Sequence, residues 1–470
     1  MQRVSIRVPI RRRSTPLVVS VVSALVIACS GEAPPADEKP DPGATGGQGG
    51  EGGGGGEPST IDVLADDEAR TAMGIPVLVD VLDNDDTDGN QLSVATDAQH
   101  GTVVVRNGSL EYLPDEGFSG QDVFEYTVTR PGASDTARVD VDVLPHPGTV
   151  VHGRLFLAEV SEDISWTAIN NAGDRLGEFD ERGDDAGAMV VEWADGEREI
   201  VGAPGPAEDL LSRGIADDGT VLAQYLHATR YQFIGFTWKD GNFDRICDLG
   251  DGLGDCTPEA MTAEGTIVGN TYDYALYTGF VWPAGGERQA LELDGYASTY
   301  AYDVTDEGVV VGVGDDSADG YSGPSRCFAG APGSLQELPF EGEAHFVSCR
   351  AINAKGWIAG GVKPLADAEG VPRSLSDRMR AALWIPDEGF SFVPFPVKRP
   401  SPSAWRVELI LGMNDTGTMV GYFQDASEVP GEGDEPETER VTRGITLTPV
   451  ETLPGNSYAN SEFDHVNGPI

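Results

Sequence analysis

The chain has 470 residues, 78 of them acidic against 31 basic, and a formal charge of −47. A length of that order calls for two or more domains, and the charge sets the chain against nucleic acid and anionic lipid surfaces, whose phosphates it repels. Hydrophobic residues make up 39%, enough for real cores, and 61 Gly with 31 Pro mark a turn-rich chain; beyond the N-terminus no apolar run reaches the roughly 18 residues a membrane helix needs.

Residues 1–28 read as an export signal. A basic stretch ending at Arg13 precedes an apolar core of 12 residues, Leu17–Ala28, which is short for a membrane span. The core runs into Val26-Ile-Ala-Cys29, which resembles the lipobox of bacterial lipoproteins. That resemblance implies cleavage before Cys29 and diacylglycerol on its sulfur. Ser30, in place of Asp, implies the outer membrane of a Gram-negative cell, on its periplasmic or cell-surface side. Residues 29–60 are dominated by Gly, Pro, Glu and Asp, a composition that cannot bury enough surface to fold and serves as a flexible tether.

From 61 to 146 the pattern changes to alternation. Val77–Leu82, Thr102–Val105, Asp122–Val128 and Ala137–Val143 read as strands, with turns at Asp88-Gly89, Asn107-Gly108 and Gly117–Gly120. Short strands with regular turn punctuation predict an Ig-like β-sandwich. The stretch Leu110–Val128, together with His100-Gly-Thr-Val and Val81-Leu-Asp-Asn-Asp, is similar to the bacterial cadherin-like or Ig-like module. Asn84, Asp86 and Asp88 place oxygens at alternating positions before Gly89, with Asp83 and Asp85 beside them, an arrangement that suits Ca²⁺. The twelfth position from Asn84 is Ala95, so the loop is no EF-hand, and Asp and Asn also serve simply as turn formers.

Residues 148–470 repeat one unit six times. Its turn glycines are Gly173, Gly219, Gly265, Gly308, Gly356 and Gly417, spaced 46, 46, 43, 48 and 61 residues apart. Four positions before each is an apolar residue (Ile169, Ile215, Met261, Val304, Ile352, Met413) and four after it Gly or Ala. A hairpin signature with a period in the forties predicts a propeller-like array, here of six blades. Each unit continues into a strand ending at Trp193, Trp238, Trp282, Phe328, Trp384 or, in the last, Leu447. The Ile-Asn-x-x-Gly turns and these strands resemble the HAF-type extracellular repeats, a propeller-like family without an assigned activity. A strand over Val150–Glu159 is expected to pair with the chain's end and close the ring, removing free sheet edges. Long insertions fall at Lys363–Arg380, where Arg373–Leu383 reads as a short helix, and at the acidic Asp425–Thr442, read as disordered.

Cys247, Cys256, Cys327 and Cys349 form an even set in an exported chain, which argues disulfides; local pairing, 247 with 256 and 327 with 349, is one of three connectivities. No H-E-x-x-H, G-x-S-x-G or phosphate-binding loop occurs. The expectation is an all-β, non-enzymatic envelope lipoprotein: an Ig-like sandwich followed by a six-bladed β-propeller-like domain. It is expected to be a monomer that binds a protein or glycan, with no cofactor beyond possible calcium and no nucleic-acid partner. The rival readings are a propeller-based lyase or glycosidase and a calcium-stabilised adhesin module.

Overall fold

The computed structural model describes residues 64–85, 91–131, 133–179, 188–229, 233–247, 255–273, 276–316, 325–339, 344–364, 379–396, 405–429 and 437–459. Cys29 and the tether lie outside them. No helix occurs among the described residues, and so none long and apolar enough to cross a membrane.

Each repeat folds into an antiparallel sheet. Blade 1 comprises Ile164–Ile169, Arg175–Phe179, Met189–Glu192 and Arg198–Val201; blade 2 begins with Ala207–Ile215, blade 3 with Asp255–Met261, blade 4 with Ser298–Val304, blade 5 with Ala344–Ile352 and blade 6 with Trp405–Met413. These six first strands touch in succession and the last touches the first, so they form the inner wall of a closed ring. Each ends on the apolar residue four positions before a turn glycine. All six turn glycines have φ between 74° and 95°, and each N–H donates to the carbonyl of the turn's first residue at 2.9–3.2 Å. A side chain is disfavoured in that conformation, which is why Gly recurs there.

The small residue four positions after the turn has another cause. It sits on the second strand opposite a bulge in the first. A Cβ built on Gly360 would collide with the carbonyl oxygen of Ser348, and Gly177, Gly269, Gly312 and Gly421 face Ser165, Thr257, Tyr300 and Leu409 in the same way. Blade 2 alone carries Ala, at Ala223. The apolar clusters lie between blades: Leu176 and Val191 of blade 1 pack with Tyr225, Phe236 and Trp238 of blade 2, and Ala359 and Leu383 of blade 5 with Met419 and Phe423 of blade 6. Trp193 packs against this junction, its ring beside Gly219 of the next blade.

Three sequence expectations change. The segment 150–159 is not one strand: His152 and Gly153, at φ of 50° and 68°, turn the chain sharply between Ala133–Val151 and Arg154–Ser161. Arg154–Ser161 is the outer strand of blade 6, paired antiparallel with Glu437–Pro449, and this pairing closes the ring. The end of the expected helix, Arg380–Leu383, lies in the strand Arg380–Ile385, held between Ile358–Pro364 and Gly389–Phe392; residues 365–378 lie outside the described ones. The acidic insertion is paired strand at both its ends, Asp425–Val429 against Glu437–Val441, because cross-strand backbone bonds extend the blade 6 hairpin.

The Ig-like sandwich is continuous with the propeller. One sheet runs Gln91–Thr96, Gly120–Arg130, Ala133–Val151 and then Arg154–Ser161 into blade 6, with Asp67–Met73 parallel to Ala133–Val151. The 19-residue strand Ala133–Val151 crosses position 146 without a break. The facing sheet holds Gly101–Arg106, Ser109–Pro114, Val77–Val79 and, from the other end of the chain, Asn456–Ser457. Asn456 accepts the Arg70 N–H at 3.0 Å and donates to the Glu68 carbonyl at 3.0 Å, while the Tyr458 hydroxyl donates to the Arg70 carbonyl at 2.6 Å. Tyr458 enters the same core as Phe124, Tyr126 and Leu155.

Two stability predictions follow from this geometry. Gly360→Ala forces a methyl into the Ser348 carbonyl and is expected to cost about 3 kcal/mol or more in chemical denaturation, against about 1–2 kcal/mol for Gly356→Ala, which only strains a turn. Truncation after Thr452 removes the Asn456–Tyr458 contacts and is expected to lower the melting temperature of the whole chain, since the sandwich core includes Tyr458; an unchanged melting curve would refute that coupling.

Candidate functional site

The bulge that selects those glycines recurs in every inner strand six residues before the turn glycine. Pairing skips Thr167, Arg213, Glu259, Tyr302, Arg350 and Leu411, one per blade. A bulge re-aims the extra residue and leaves it out of the ladder. All six are half-exposed, between neighbours of which nearly all are fully buried. Five of them, all but Thr167, line a cavity of about 130 Å³ on the axis of the ring. The backbone therefore delivers one side chain per blade to the axis, and the six are chemically unlike.

Their contacts run from blade to blade. Arg213 pairs with Glu259 at 3.3 Å. The Arg350 guanidinium lies 3.8 Å from the Tyr302 ring centroid, and its Nε donates to Ser348 Oγ at 2.7 Å. Thr167 Oγ1 and Ser212 Oγ are 2.8 Å apart. Behind them, in two blades, the residue after the small position bonds to the next blade. Glu178 accepts both the N–H and the hydroxyl of Ser212, at 2.7 and 2.8 Å, and Asn270 accepts the Ala301 N–H at 2.8 Å. At the corresponding place in blade 2, Gln224 Oε1 is left without a partner among the described residues.

One mouth of the cavity is rimmed by the turns. Asn170, Asn353 and Asn414 donate to the carbonyls of Ala216, Asn414 and Asn170, at 3.0, 3.2 and 3.2 Å, each tying its blade to the next. Ala216, Thr262 and Thr305 lack that amide. The residue that follows each of these six turn positions forms a second ring. Asp217 accepts the Asn171 N–H at 2.8 Å, Asp415 accepts the Ala354 N–H at 2.7 Å, and Asn171 accepts the Asp415 N–H at 2.8 Å. Asp217, Asp306 and Asp415 stand on alternate blades, and burial, with the charges of the other two, raises the pKa of Asp306. Deeper in the wall, Asp303 accepts the N–H groups of Ile352 and Val304, both at 2.8 Å, and burial pushes its carboxyl up to about 7. Burial raises Glu178 as well, against the pull of its Ser212 hydrogen bonds. No histidine lines the cavity.

The sequence-predicted site residues are elsewhere. Cys327 and Cys349 form a disulfide, with Cα atoms 5.7 Å apart, joining blade 4 to the inner strand of blade 5. Cys247 ends the outer strand of blade 2 and Cys256 lies in the inner strand of blade 3, with residues 248–254 outside the described ones. In the sandwich, Asp85 accepts the Ala65 N–H at 2.9 Å and lies 3.1 Å from the Tyr126 hydroxyl, and Asn84 donates to Asp67 at 3.1 Å. Burial lifts the Asp67 carboxyl to about 6. Asp83 donates its N–H to the Asp80 carbonyl at 3.2 Å, and Asp86 and Asp88 lie outside the described residues. Among the described residues no three His, Cys, Asp or Glu side chains are grouped to hold a metal. The axial ring was missed because its residue types vary; the signal was its constant place six residues before each glycine.

The Bacterial Ig domain family matches residues 58–142. No curated protein matches the chain. Similar solved structures include an inactive virginiamycin B lyase from Staphylococcus aureus, at 10% identity and TM-score 0.34 over 77% of this chain and 100% of that one. TolB from Acinetobacter baumannii is similar at 13% and 0.36, over 75% and 79%. The β-propeller domain of the Trilobed protease from Pyrococcus furiosus is similar at 10% and 0.34, over 68% and 94%. The chain is an Ig-like domain joined to a β-propeller, and its own six closed blades are what define the latter.

The raised Asp303 pKa makes a pH prediction. An ordinary carboxyl near 3.8 in the unfolded chain and about 7 in the folded one means the folded state holds the extra proton between those values, so this group's contribution to stability falls as pH rises from about 4 to about 7. Asp303→Asn removes the titrating group and should flatten that slope, read from melting curves of both proteins across pH 4–8. Parallel pH profiles would refute it.

Proposed function

We propose that this protein is an outer-membrane lipoprotein that acts by binding, with its propeller presented to a protein or glycan partner and no reaction of its own. The observation that carries the binding reading is the axial ring: one backbone position, repeated six times, holding Thr167, Arg213, Glu259, Tyr302, Arg350 and Leu411. A repeated scaffold with unlike side chains is the arrangement of a recognition surface. The cavity of about 130 Å³ is below the roughly 300–1,000 Å³ of pockets that enclose drug-sized ligands, which favours a partner docked on the propeller over a buried substrate. The carboxylates there are committed to N–H or guanidinium partners, as structural groups are. The lipobox at Cys29 and the Gly-rich tether support anchoring, and the disulfide between Cys327 and Cys349 suits an oxidising compartment.

The enzyme reading draws on Asp303, whose raised pKa suits a general acid, but no second catalytic group is placed beside it. Anchoring is tested by Cys29→Ser. The wild-type protein is expected in the membrane fraction with a lipid-modified N-terminal peptide by mass spectrometry. The variant is expected in the soluble fraction, and an unmodified Cys29 in the wild type would refute the anchor. Binding is tested by cross-linking in intact cells, where Arg350→Ala should reduce partner capture several-fold.

A further inference from the structure

The axial cavity is lined by Arg213 and Arg350 among six carboxylates, and the two guanidiniums differ in how they are partnered. Arg350 spends its Nε on Ser348 and its flat face on Tyr302, and among the described residues its two terminal amino groups meet no carboxylate. Among the described residues the Tyr302 hydroxyl makes no hydrogen bond either, and Tyr302 lines the cavity beside Arg350. The Arg350 charge opposes the upward push of burial on the Tyr302 pKa. Across the cavity, Arg213 is paired with Glu259 through one terminal nitrogen, and its buried Nε has no partner. With 78 acidic residues against 31 basic ones, a guanidinium without a carboxylate is an exception that calls for an anion from outside.

We infer that the axial cavity binds a small carboxylate, its oxygens taken by Arg350 with the Tyr302 hydroxyl, and its amino or hydroxyl group turned toward the acidic rim of Asp217, Asp306 and Asp415. Arginine's fork matches a carboxylate bidentately, and a ring stacked on its face fixes the plane of that fork. Size limits the ligand. A cavity of about 150 Å³ is known to take benzene, with six non-hydrogen atoms, so about 130 Å³ fits an α-amino or α-hydroxy acid of five or six. The rim opens on the side of the glycine turns, where Asp306 and Asp217 are exposed, and its negative charge admits an acid that also carries a cationic or hydrogen-donating group more readily than a bare anion.

The inference rests on the reading of the propeller as a binding module and assigns one ligand class to it. The probes are glycine, lactate, acetate and ethanolamine, titrated by calorimetry and by thermal shift into the full-length protein in detergent. Glycine and lactate are expected to bind and to raise the melting temperature, acetate to bind about tenfold more weakly, and ethanolamine to do nothing. Arg350→Lys keeps the charge but loses the fork and should weaken glycine binding at least about tenfold. Tyr302→Phe removes one hydroxyl without altering charge and should weaken it several-fold, which keeps the test open if the Arg350 variant fails to fold. Absence of binding by all three carboxylates, or wild-type affinity in both variants, would overturn the site; equal affinity for acetate and glycine would overturn the part given to the rim. Capture of a macromolecular partner in cells is unaffected by those failures, so the two readings fall separately.

Discussion

Six backbone pairs, Gly444–Pro449 against Ser161–Phe156, hold the ring shut. Without them blade 6 ends in an open edge, and the contact between blades 1 and 6 is left to the Asn414–Asn170 and Asp415–Asn171 hydrogen bonds and to the packing of Val420 on Trp166 and Ile164. The strand that supplies this closure also pairs, through its other edge, with Ala133–Val151 of the sandwich. Ring closure and attachment of the Ig-like module are thus two edges of one eight-residue strand, Arg154–Ser161. The chain's other end reinforces the arrangement, since Asn456–Ser457 completes the sandwich's second sheet only after all six blades have been laid down. The topology is that of a propeller inserted between two strands of a sandwich, with large loop-closure entropy repaid only when both ends meet.

Much of this was legible because the constraints are local. A turn that demands φ near +80° selects Gly at six positions, and a carbonyl aimed at the next strand selects Gly again four residues on, as Gly312 and Gly360 illustrate. Such steric demands leave marks of fixed residue type at fixed spacing. The alternation of Ala137–Val143 likewise marks a sheet with one face buried, with Val139, Val141 and Val143 at 0–1% exposure. The Cys327–Cys349 pairing was readable for the same reason, since the third strand of one blade and the inner strand of the next lie side by side in any propeller.

What was not legible depends on distant partners. Two residues, Asn456 and Ser457, form a strand whose meaning lies in Leu78 and Val79, nearly the whole chain away. His152-Gly153 turns the chain where apolar runs on both sides suggested continuity, because a left-handed pair is invisible to a pattern of hydrophobicity. The axial ring is the reverse of the glycines: its geometry is constant and its chemistry is not, so a reading by residue type passes over it. Position 350 illustrates the point. Arg350 opens the repeat as an unremarked polar residue, and only the skipped pairing between Cys349 and Ala351 turns it inward.

That contrast bears on what the propeller is for. If the axis served only packing, the bulge positions would be expected to hold small apolar side chains, which cost nothing to bury. Here they hold two guanidiniums, a carboxylate and a phenol. Bringing Arg213 and Glu259 into a cavity strips them of water, and the pair recovers at best a similar energy, so it adds little to stability. Buried polar atoms without a hydrogen-bond partner occur away from the axis as well as at Arg213 Nε, for instance at Thr149 in the sandwich and Trp384 in blade 5. It is therefore the bulge side chains themselves, two guanidiniums, a carboxylate and a phenol among them, that set the axis apart. The glycine turns and bulges build the ring, and the proposed binding assigns its specificity to the residues they expose.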